Sequence, residues 1–486
     1  MLELKLVYRK ILLLGILALP LVATGCLQQD YRLDAEKFRG QMAVGNWQGA
    51  ATIAQQSGKV DPEARSGELL WSLNDGAASL FADNYKHSIA VFDHAEKLMK
   101  FDDLAGLSSQ IASGASSVLV NDTVRDYSYS SYDAIMVNSY KGLAFMLAGE
   151  LDNARVEFNR TAERQRRAAE RYALEIKAEE SKNAAAAKKN PKVNSSETLT
   201  QARTNPELTA ELAKLESKSS YAPFVNPYTS YLRSIFLLAA GESGSDTEQA
   251  ITELRSVLQL IGDNRVVKSD LAYALARANG KGGGKRIWVM FENGQSPIRR
   301  EKLIHGFGFT TVGVIDFKYA VPFLQYEPLA YPALRITVDE QEVTTETVTN
   351  FDAVVAAEFK LRLPGIITRA VLSTAYKTAI QIAGQVVAAK GDSNGNSNAA
   401  LLGGLINLAG VIATEGSTAA DLRSWLALPK EFQAASFAAP RNGRLAIHSS
   451  DGVELGFVTV ATDKNALITV KIQNRGARPV IQTTLF

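Results

Sequence analysis

The chain has 486 residues, of which 46% are hydrophobic and 21% charged, and its formal net charge is +2. This composition is typical of globular proteins and excludes an intrinsically disordered chain, while the length allows about two to four domains. Three basic residues and one acidic residue precede Cys26, so the rest of the chain is formally neutral. A neutral chain gains no general attraction to nucleic acid or anionic lipid, and we expect no nucleic-acid partner.

The first predicted element is a signal-like segment that ends at Cys26, the only cysteine of the chain. Basic residues precede an uninterrupted apolar stretch from Ile11 to Val22, and small residues lead up to the cysteine. This pattern is typical of a secretory signal, and the apolar stretch is shorter than the roughly 20 residues that a membrane span requires. The alternatives are an ordinary cleaved signal with a chance cysteine and an uncleaved membrane anchor.

Residues 21–26 resemble the end of a bacterial lipoprotein signal, in which an aliphatic residue and two small residues precede the cysteine. The resemblance implies cleavage after Gly25 and lipidation of Cys26 with palmitate-type chains that hold the protein on a membrane. Leu27 follows the cysteine, at the position where Asp would indicate a different membrane destination. By resemblance to enterobacterial sorting, this residue implies delivery to the outer membrane, with the protein facing the periplasm.

Residues 34–279 carry apolar side chains at spacings of three and four, which predicts a succession of helices. Gly76 precedes Ser88 by the same interval as Gly142 precedes Ala154, and a phenylalanine follows each pair. The two segments lie about two 34-residue periods apart and resemble degenerate tetratricopeptide repeats. The resemblance implies close approach of paired helices at each glycine. The candidate repeat-packing residues are Gly76, Tyr85, Ser88, Phe92, Gly142, Ala154 and Phe158.

The repeat resemblance also implies a concave groove that takes a protein or peptide partner. The alternative is a generic α-helical bundle in which the small residues coincide by chance. Within this half, residues 155–189 place Glu and Arg at spacings that support a long exposed helix. Residues 190–208 have the Pro, Asn and Ser content of a flexible loop. We expect a flexible charged insertion over about residues 176–215, which is either a projecting arm that contacts a partner or a solvated spacer.

A glycine-rich linker over residues 280–285 separates this half from a region with a different periodicity. It is not a phosphate-binding loop, because that motif requires Ser or Thr after its lysine and Arg286 follows Lys285. Beyond the linker, β-branched and aromatic residues alternate and turn signals recur, which predicts an α+β domain over residues 286–486 with a largely antiparallel sheet. We expect this domain to stay folded without the helical half.

The predicted elements of the second half follow from period and turn signals. Strands are expected over Arg286–Phe291, Phe309–Phe323 and Ala333–Val348, then helices over Phe351–Leu363, Ile366–Ala389 and Ala419–Leu426, with the apolar segment Ala399–Ala413 between the last two. The first of these helices is expected to stop at Pro364. The chain is expected to close as a β-meander of four strands, Arg444–His448, Val453–Ala461, Ala466–Gln473 and Pro479–Leu485.

The pair of apolar segments within residues 366–413 allows two interpretations. It forms either a hairpin that inserts in a bilayer or joins a second copy through Gly403 and Gly410, or a buried hairpin packed on the sheet. Polar residues such as Arg369 and Lys377 line one stripe of the first segment, which favours packing within the domain. A homo-oligomer stays open as an alternative.

No catalytic constellation emerges from the motifs, so we predict that the protein is not an enzyme and needs no cofactor or metal. His87 and His94 lack the zinc-binding spacing and are interpreted as surface or packing residues. Residues 448–451 contain the residue types of a serine-protease triad, but consecutive residues at a strand end do not converge through space. A hairpin turn explains them better. The alternative is an envelope hydrolase with its site in the α+β domain.

The order of several motifs resembles a family of uncharacterised proteobacterial envelope lipoproteins with tetratricopeptide-like N-terminal halves. The motifs are Tyr140–Ala144, Ala154–Arg160, Glu292–Gly294 and Ala420–Trp425. The resemblance implies no activity, but it implies a place among envelope proteins connected with peptidoglycan-synthase activation. We therefore expect a lipid-anchored scaffold or adaptor that binds an envelope protein through its helical repeats.

The expected organisation is multidomain, with an α-helical solenoid half followed by an α+β half. The predicted parts are a signal peptide over residues 1–25, a lipid-anchored tether over 26–33, a repeat domain over 34–279, a linker over 280–285 and an α+β domain over 286–486.

Overall fold

The structure is a computed structural model that describes residues 31–61, 63, 65–100, 126–241, 243–281, 284–311, 313–393 and 419–486. The predicted lipidation site at Cys26 and the apolar segment 399–413 lie outside these residues. Within the described part, no helix combines the length and the apolar character that crossing a membrane requires.

The first half is built from helices, as the three- and four-residue spacings predict. They are α1 (residues 31–43), α2 (Trp47–Gly58), α3 (Leu69–Phe81), α4 (Tyr85–Met99), α5 (Ser131–Leu147), α6 (Leu151–Lys189), α7 (Ser195–Arg203), α8 (Pro206–Lys218), α9 (Pro227–Ala240), α10 (Gly244–Ile261) and α11 (Arg265–Ala278). Several consecutive helices pack against each other, among them α3 with α4, α5 with α6, and α9 with α10.

The predicted loop within residues 190–208 instead contains a whole capped helix, α7, and the capped start of α8. The side chain of Asn194 accepts a hydrogen bond from the backbone of Glu197, and Asn205 caps α8 with Pro206 in its first turn. Asn and Pro are common in loops, but they are equally favoured at these helix-start positions. Apolar residues of α7 and α8 pack into a core with the second half, so the sequence that predicts a flexible insertion forms packed helices.

The second half contains eleven strands among the described residues. They are β1 (Arg286–Asn293), β2 (Ile298–Thr310), β3 (Gly313–Gln325), β4 (Leu334–Val338), β5 (Gln341–Thr344), β6 (Glu346–Asn350), β7 (Glu431–Ala438), β8 (Arg444–Ser449), β9 (Glu454–Thr459), β10 (Ala466–Ile472) and β11 (Val480–Leu485). They form a five-stranded sheet in the order β11-β10-β1-β7-β6, a four-stranded sheet in the order β5-β4-β8-β9, and the hairpin β2-β3.

The pairing of these strands is antiparallel except between β1 and β10, which confirms the predicted α+β layout with mostly antiparallel strands. The prediction of one terminal β-meander is wrong. Strands β8 and β9 join the four-stranded sheet, whereas β10 crosses to the five-stranded sheet and lies parallel to β1. Strand β10 is buried along its whole length, as expected for a central strand.

A single helix, α12 (Phe351–Ser393), replaces the two helices predicted on either side of Pro364. A proline removes one backbone hydrogen bond but does not always end a helix when tertiary packing holds both sides. Leu363 and Ile367, which flank the proline, are buried with Val371 in a core shared with the β2-β3 hairpin. Packing on both sides of Pro364 therefore keeps α12 continuous, although a proline predicts the end of a helix.

The helical half and the second half share one hydrophobic core. Trp288 of β1, Phe432 of β7 and Leu467 of β10 belong to the same buried cluster as Phe81 and Phe236 of the helices. The linker at residues 280–285 therefore marks a change from helix to strand within one packed body. Removing the helices would expose the second half's side of this core, whereas another buried cluster, with Ile287, Leu334 and Ile447, is formed by the second half alone. The expectation that the second half stays folded alone therefore stays a prediction.

Candidate functional site

Most of the predicted repeat-packing residues lie inside two helical hairpins, α3–α4 and α5–α6, where the two helices of each hairpin are in close contact. A Cβ atom at Gly76 would lie 2.6 Å from Cε1 of Phe92, and a Cβ atom at Gly142 would lie 2.8 Å from Cε1 of Phe158. The Ser88 hydroxyl donates a hydrogen bond to the Gly76 carbonyl at 2.7 Å, and Ala154 is fully buried. Both glycines therefore allow an aromatic ring to pack directly on the backbone of the facing helix.

Tyr85 has a different role from the one its position in the repeat pattern predicts. Its hydroxyl donates to Asp83 at 2.8 Å and accepts from Nε2 of Gln482 at 3.4 Å. Nε2 of Gln482 also donates to the carbonyl of Leu80 at 2.8 Å. Tyr85 thus helps to join the α3–α4 turn to strand β11 of the second half.

The helices that would line a partner groove are covered by the chain itself. Almost every residue of α3 and of α5 is buried, and residues 419–428, which form neither a helix nor a strand, pack on this surface. The backbone N–H of Leu426 donates to Oδ1 of Asn74 at 3.0 Å, and that of Ser424 donates to the Tyr31 hydroxyl at 3.3 Å. The segment around residues 424–426 therefore covers part of the surface that α3 and α5 form.

The short helix predicted over Ala419–Leu426 does not form. The side chains of Tyr31 and Asn74 satisfy its backbone donors, which replaces the intrahelical hydrogen bonds. The indole of Trp425 lies edge-on to the rings of Phe92, at 6.0 Å, and Tyr140, at 5.7 Å between centroids. Anchoring by the helical half thus overrides the local helical preference of this segment.

A buried ion pair lies at the centre of the contact between the halves. Nζ of Lys471 lies 3.2 Å from Oε2 of Glu292, which also accepts a 2.7 Å hydrogen bond from the Tyr140 hydroxyl. The ammonium group also lies over the rings of Trp47 and Phe81, at 5.7 Å and 5.1 Å. Burial lowers the pKa of Lys471, against the pull of Glu292, and burial raises the pKa of Glu292, against the pull of Lys471.

The histidines have structural partners rather than a common site. His87 contacts Asp75 at 2.8 Å, and His94 is buried beside the carbonyl of Gly67. His305 faces Asp316 across the β2-β3 hairpin at 2.7 Å. His448 and Ser449 end β8, and residues 450–452 form the predicted turn before β9. Among the described residues, no group of three or more His, Cys, Asp and Glu side chains is arranged to hold a metal ion.

Among the described residues, two neighbouring chambers form an open cleft, here called the junction cleft. Its larger chamber, about 860 Å³, lies between α1, α3, the end of α4 and residues 421–423. Its smaller chamber, about 330 Å³, lies between α6, α12 and the start of β2. Asp126, Tyr127, Tyr129 and Asp421 line both chambers, so the two are adjacent.

The larger chamber mixes apolar and charged walls. Its apolar and aromatic side chains include Tyr31, Trp71 and Leu422, and its charged side chains include Lys37, Lys59, Glu68 and Arg423. Burial raises the pKa of Glu68, although Arg423 nearby lowers it. Aromatic surface with a few polar groups is typical of ligand sites.

Most basic residues of the smaller chamber pair with carboxylates of α6 and α12. Arg362 bonds Glu175 at 3.1 Å and Glu358 at 2.8 Å, Arg171 bonds Glu175 at 3.0 Å, and Arg369 bonds Glu179. Arg299 differs, because its guanidinium has no hydrogen bond or ion pair within the part of the chain that the structure describes. Its recorded contact is with the ring of Phe359, at 5.8 Å.

Sequence reasoning missed the cleft because its lining comes from distant parts of the chain. Trp425 enters the sequence analysis only within a predicted helix and a motif that carries a family resemblance, and Arg299 is not singled out there. Lys471 offers a signal, because a charged residue within the apolar run of β10 indicates a buried partner. Nothing in the sequence identifies that partner as Glu292.

Comparison with known proteins adds no relative. No protein-family model matches the chain, no curated protein matches it, and no solved structure matches it.

Proposed function

We propose that this protein is a lipid-anchored, non-catalytic adaptor of the bacterial envelope that binds a segment of a partner protein in the junction cleft. The observation that carries the proposal is the larger chamber, an open space of about 860 Å³ with aromatic and charged walls. Aromatic side chains in such a chamber provide anchoring surface at little cost in conformational entropy. The charged groups around them provide the polar contacts that select one partner over another.

The position of the cleft supports an anchored role. Tyr31, which lines the larger chamber, follows the predicted lipidation site Cys26 by only five positions. An extended segment of this length spans at most about 18 Å. A lipid on Cys26 would therefore hold the cleft close to the membrane surface, where a partner anchored in the same envelope would meet it.

The proposed binding surface differs from the one that the repeat resemblance implies. Residues 419–428 and the five-stranded sheet cover α3 and α5, so a partner would have to displace the shared core to reach the groove. The junction cleft needs no such displacement. The resemblance to envelope lipoproteins supports a partner in peptidoglycan synthesis or in another envelope assembly.

Site-specific photocrosslinking in the native envelope tests the proposal. A photoreactive residue at Lys37 or Gln56, both in the larger chamber, should capture one partner that the same probe at exposed Lys214 on α8 does not capture. The charge reversal Lys37→Glu combined with Lys59→Glu should reduce this capture, whereas Lys214→Glu should leave it unchanged.

Two results would contradict the proposal. One is capture of the same protein with equal yield from Lys214, which would place the interface elsewhere. The other is the absence of any crosslink from the cleft positions in a strain that produces the folded protein at its natural level. Cys26→Ala separates anchoring from binding, because it should release the protein from the membrane without changing the cleft.

A further inference from the structure

We infer that the smaller chamber of the junction cleft binds a small ligand through a carboxylate or phosphate group, with Arg299 as the cationic anchor. This inference concerns a second, separate ligand and does not depend on partner binding in the larger chamber. It rests on the placement of one arginine and on the contacts of the neighbouring arginines, carboxylates and tyrosines.

The guanidinium N–H groups of Arg299 have no hydrogen-bond acceptor among the described residues, and they lie in a partly enclosed space. Arg299 is partly buried at the start of β2 and lines the smaller chamber, and no described residue forms a hydrogen bond or an ion pair with its guanidinium. A guanidinium offers five N–H donors in a planar fork that matches a carboxylate or a phosphate. Because a buried charge without a partner is costly, the chamber is suited to an anion that supplies the missing partner.

The other arginines of the chamber do not compete for such an anion. Arg362 and Arg369 are each paired with carboxylates, and Arg171 is paired with Glu175 and also lies over the Tyr129 ring at 5.1 Å. These pairs hold the walls in place. Among the described arginines that line the chamber, Arg299 is therefore the one without a hydrogen bond or an ion pair to a carboxylate.

The carboxylates near Arg299 are also engaged. Asp421 bonds Arg423 at 2.9 Å, and Asp133 accepts hydrogen bonds from the Tyr127 hydroxyl and from the Ser130 backbone. Burial raises the pKa of Asp133 to about 7, so this carboxyl gives up part of its negative charge near neutral pH. Both carboxyl groups favour the charged form of Arg299 electrostatically, but among the described residues neither forms a hydrogen bond or an ion pair with its guanidinium.

The tyrosine hydroxyls of the chamber already have hydrogen-bond partners, so their rings contribute mainly apolar surface. The hydroxyl of Tyr127 donates to Asp133, that of Tyr129 donates to the carbonyl of Met99, and that of Tyr172 donates to the carbonyl of Leu361. With these hydroxyls committed, the rings present apolar faces and edges to the space. A ligand that fits would place its anionic group on Arg299 and a compact apolar part against the tyrosines.

Calorimetric titration of the full chain, purified in detergent, tests the inference with three probes. They are inorganic phosphate, tri-alanine with a free carboxyl terminus, and tri-alanine with an amidated carboxyl terminus. Binding of the free-acid peptide but not of the amide identifies a carboxylate ligand, and binding of phosphate alone identifies a phosphate ligand. Arg299→Gln should weaken either one by about 10- to 100-fold, the range for a hydrogen-bonded charge.

Matched variants keep the test conclusive. Arg300→Gln changes the next residue, which is exposed and donates to Gln325, and it should bind as the unaltered chain does. Arg299→Lys keeps the charge without the fork and should retain weakened binding, which answers the objection that Arg299→Gln has lost its fold. Equal binding by the unaltered chain and by a folded Arg299→Gln variant, or no binding of any probe to the unaltered chain, would overturn the inference.

Discussion

One buried ion pair, Lys471 and Glu292, lies where the two halves of the molecule pack against each other. Lys471 and Glu292 lie on neighbouring strands of one sheet, yet the residues around them, Trp47, Phe81 and Tyr140, belong to helices of the other half. A buried ion pair need not add net stability, but it strongly penalises any state in which one partner is left alone. The pair therefore specifies one arrangement of the halves.

Replacing one member of this pair should be far more harmful than replacing both. We expect Lys471→Met to lower the free energy of unfolding by about 3–5 kcal/mol, because it leaves the Glu292 carboxylate buried without a cation. Adding Glu292→Leu should restore much of that loss. Urea unfolding measures both variants, with Lys464→Met at an exposed turn as the control. A single variant as stable as the unaltered chain would show that the pair is not buried as described.

A second prediction concerns pH and Asp133. Burial raises the pKa of this residue from 3.8 to about 7 in the folded protein, so the folded state binds the proton more tightly than the unfolded state. The free energy of unfolding should therefore fall as the pH rises from about 4 to about 7. Asp133→Asn should reduce this slope, whereas Asp126→Asn at an exposed position should not. Thermal melts across this pH range measure the slope, and an unchanged slope in Asp133→Asn would contradict the assignment.

At the scale of helices, the glycine contacts give a clear expectation. Alanine normally stabilises a helix relative to glycine by about 1 kcal/mol, but a Cβ at Gly142 would lie 2.8 Å from the Phe158 ring. Gly142→Ala should therefore destabilise the protein, and adding Phe158→Leu should recover part of the loss.

Gly40 on α1 is the matched control for this prediction, because a Cβ there would meet nothing within 4 Å. Gly40→Ala should be neutral or stabilising in the same urea titration. If Gly142→Ala behaved like Gly40→Ala, the close packing of α5 and α6 would be ruled out.

Local patterns predict the elements of this fold better than their arrangement. The spacing of Gly76 and Phe92 predicts a close helical hairpin, and the turn signals around residues 450–452 predict the break between β8 and β9. Both depend on neighbours in sequence. The course of residues 419–428 depends on Tyr31 and Asn74, which lie hundreds of positions away, and no local pattern contains that information.

Ambiguous residues account for the other differences. Asn194, Asn205 and Pro206 favour loops and helix starts alike, and the packing of α7 and α8 on the β2-β3 hairpin decides between them. Pro364 predicts a helix end, but burial on both sides keeps α12 continuous. The junction cleft belongs to the same class, because Tyr31, Arg299 and Asp421 meet only in the folded chain.

At the scale of the whole molecule, the helical half and the second half pack against each other through a shared core. The rings of Tyr228 on α9 and Phe432 on β7 stack with centroids 3.6 Å apart, and Glu358 of α12 accepts hydrogen bonds from the first turn of α5. Such contacts join the halves through a shared core, while a separate buried cluster belongs to the second half alone. They also fix the walls of the junction cleft, whose lining residues come from both halves.

The central claim is that the two halves fold as one body around the junction cleft. Urea unfolding followed by two probes tests it most directly: the far-ultraviolet circular dichroism, dominated by the helices, and the fluorescence of Trp288 and Trp425 in a variant with Trp47→Phe and Trp71→Phe. A single shared core predicts that both signals change in one coincident transition. Two separate transitions, with the helical signal persisting after Trp288 and Trp425 have become exposed, would contradict the claim.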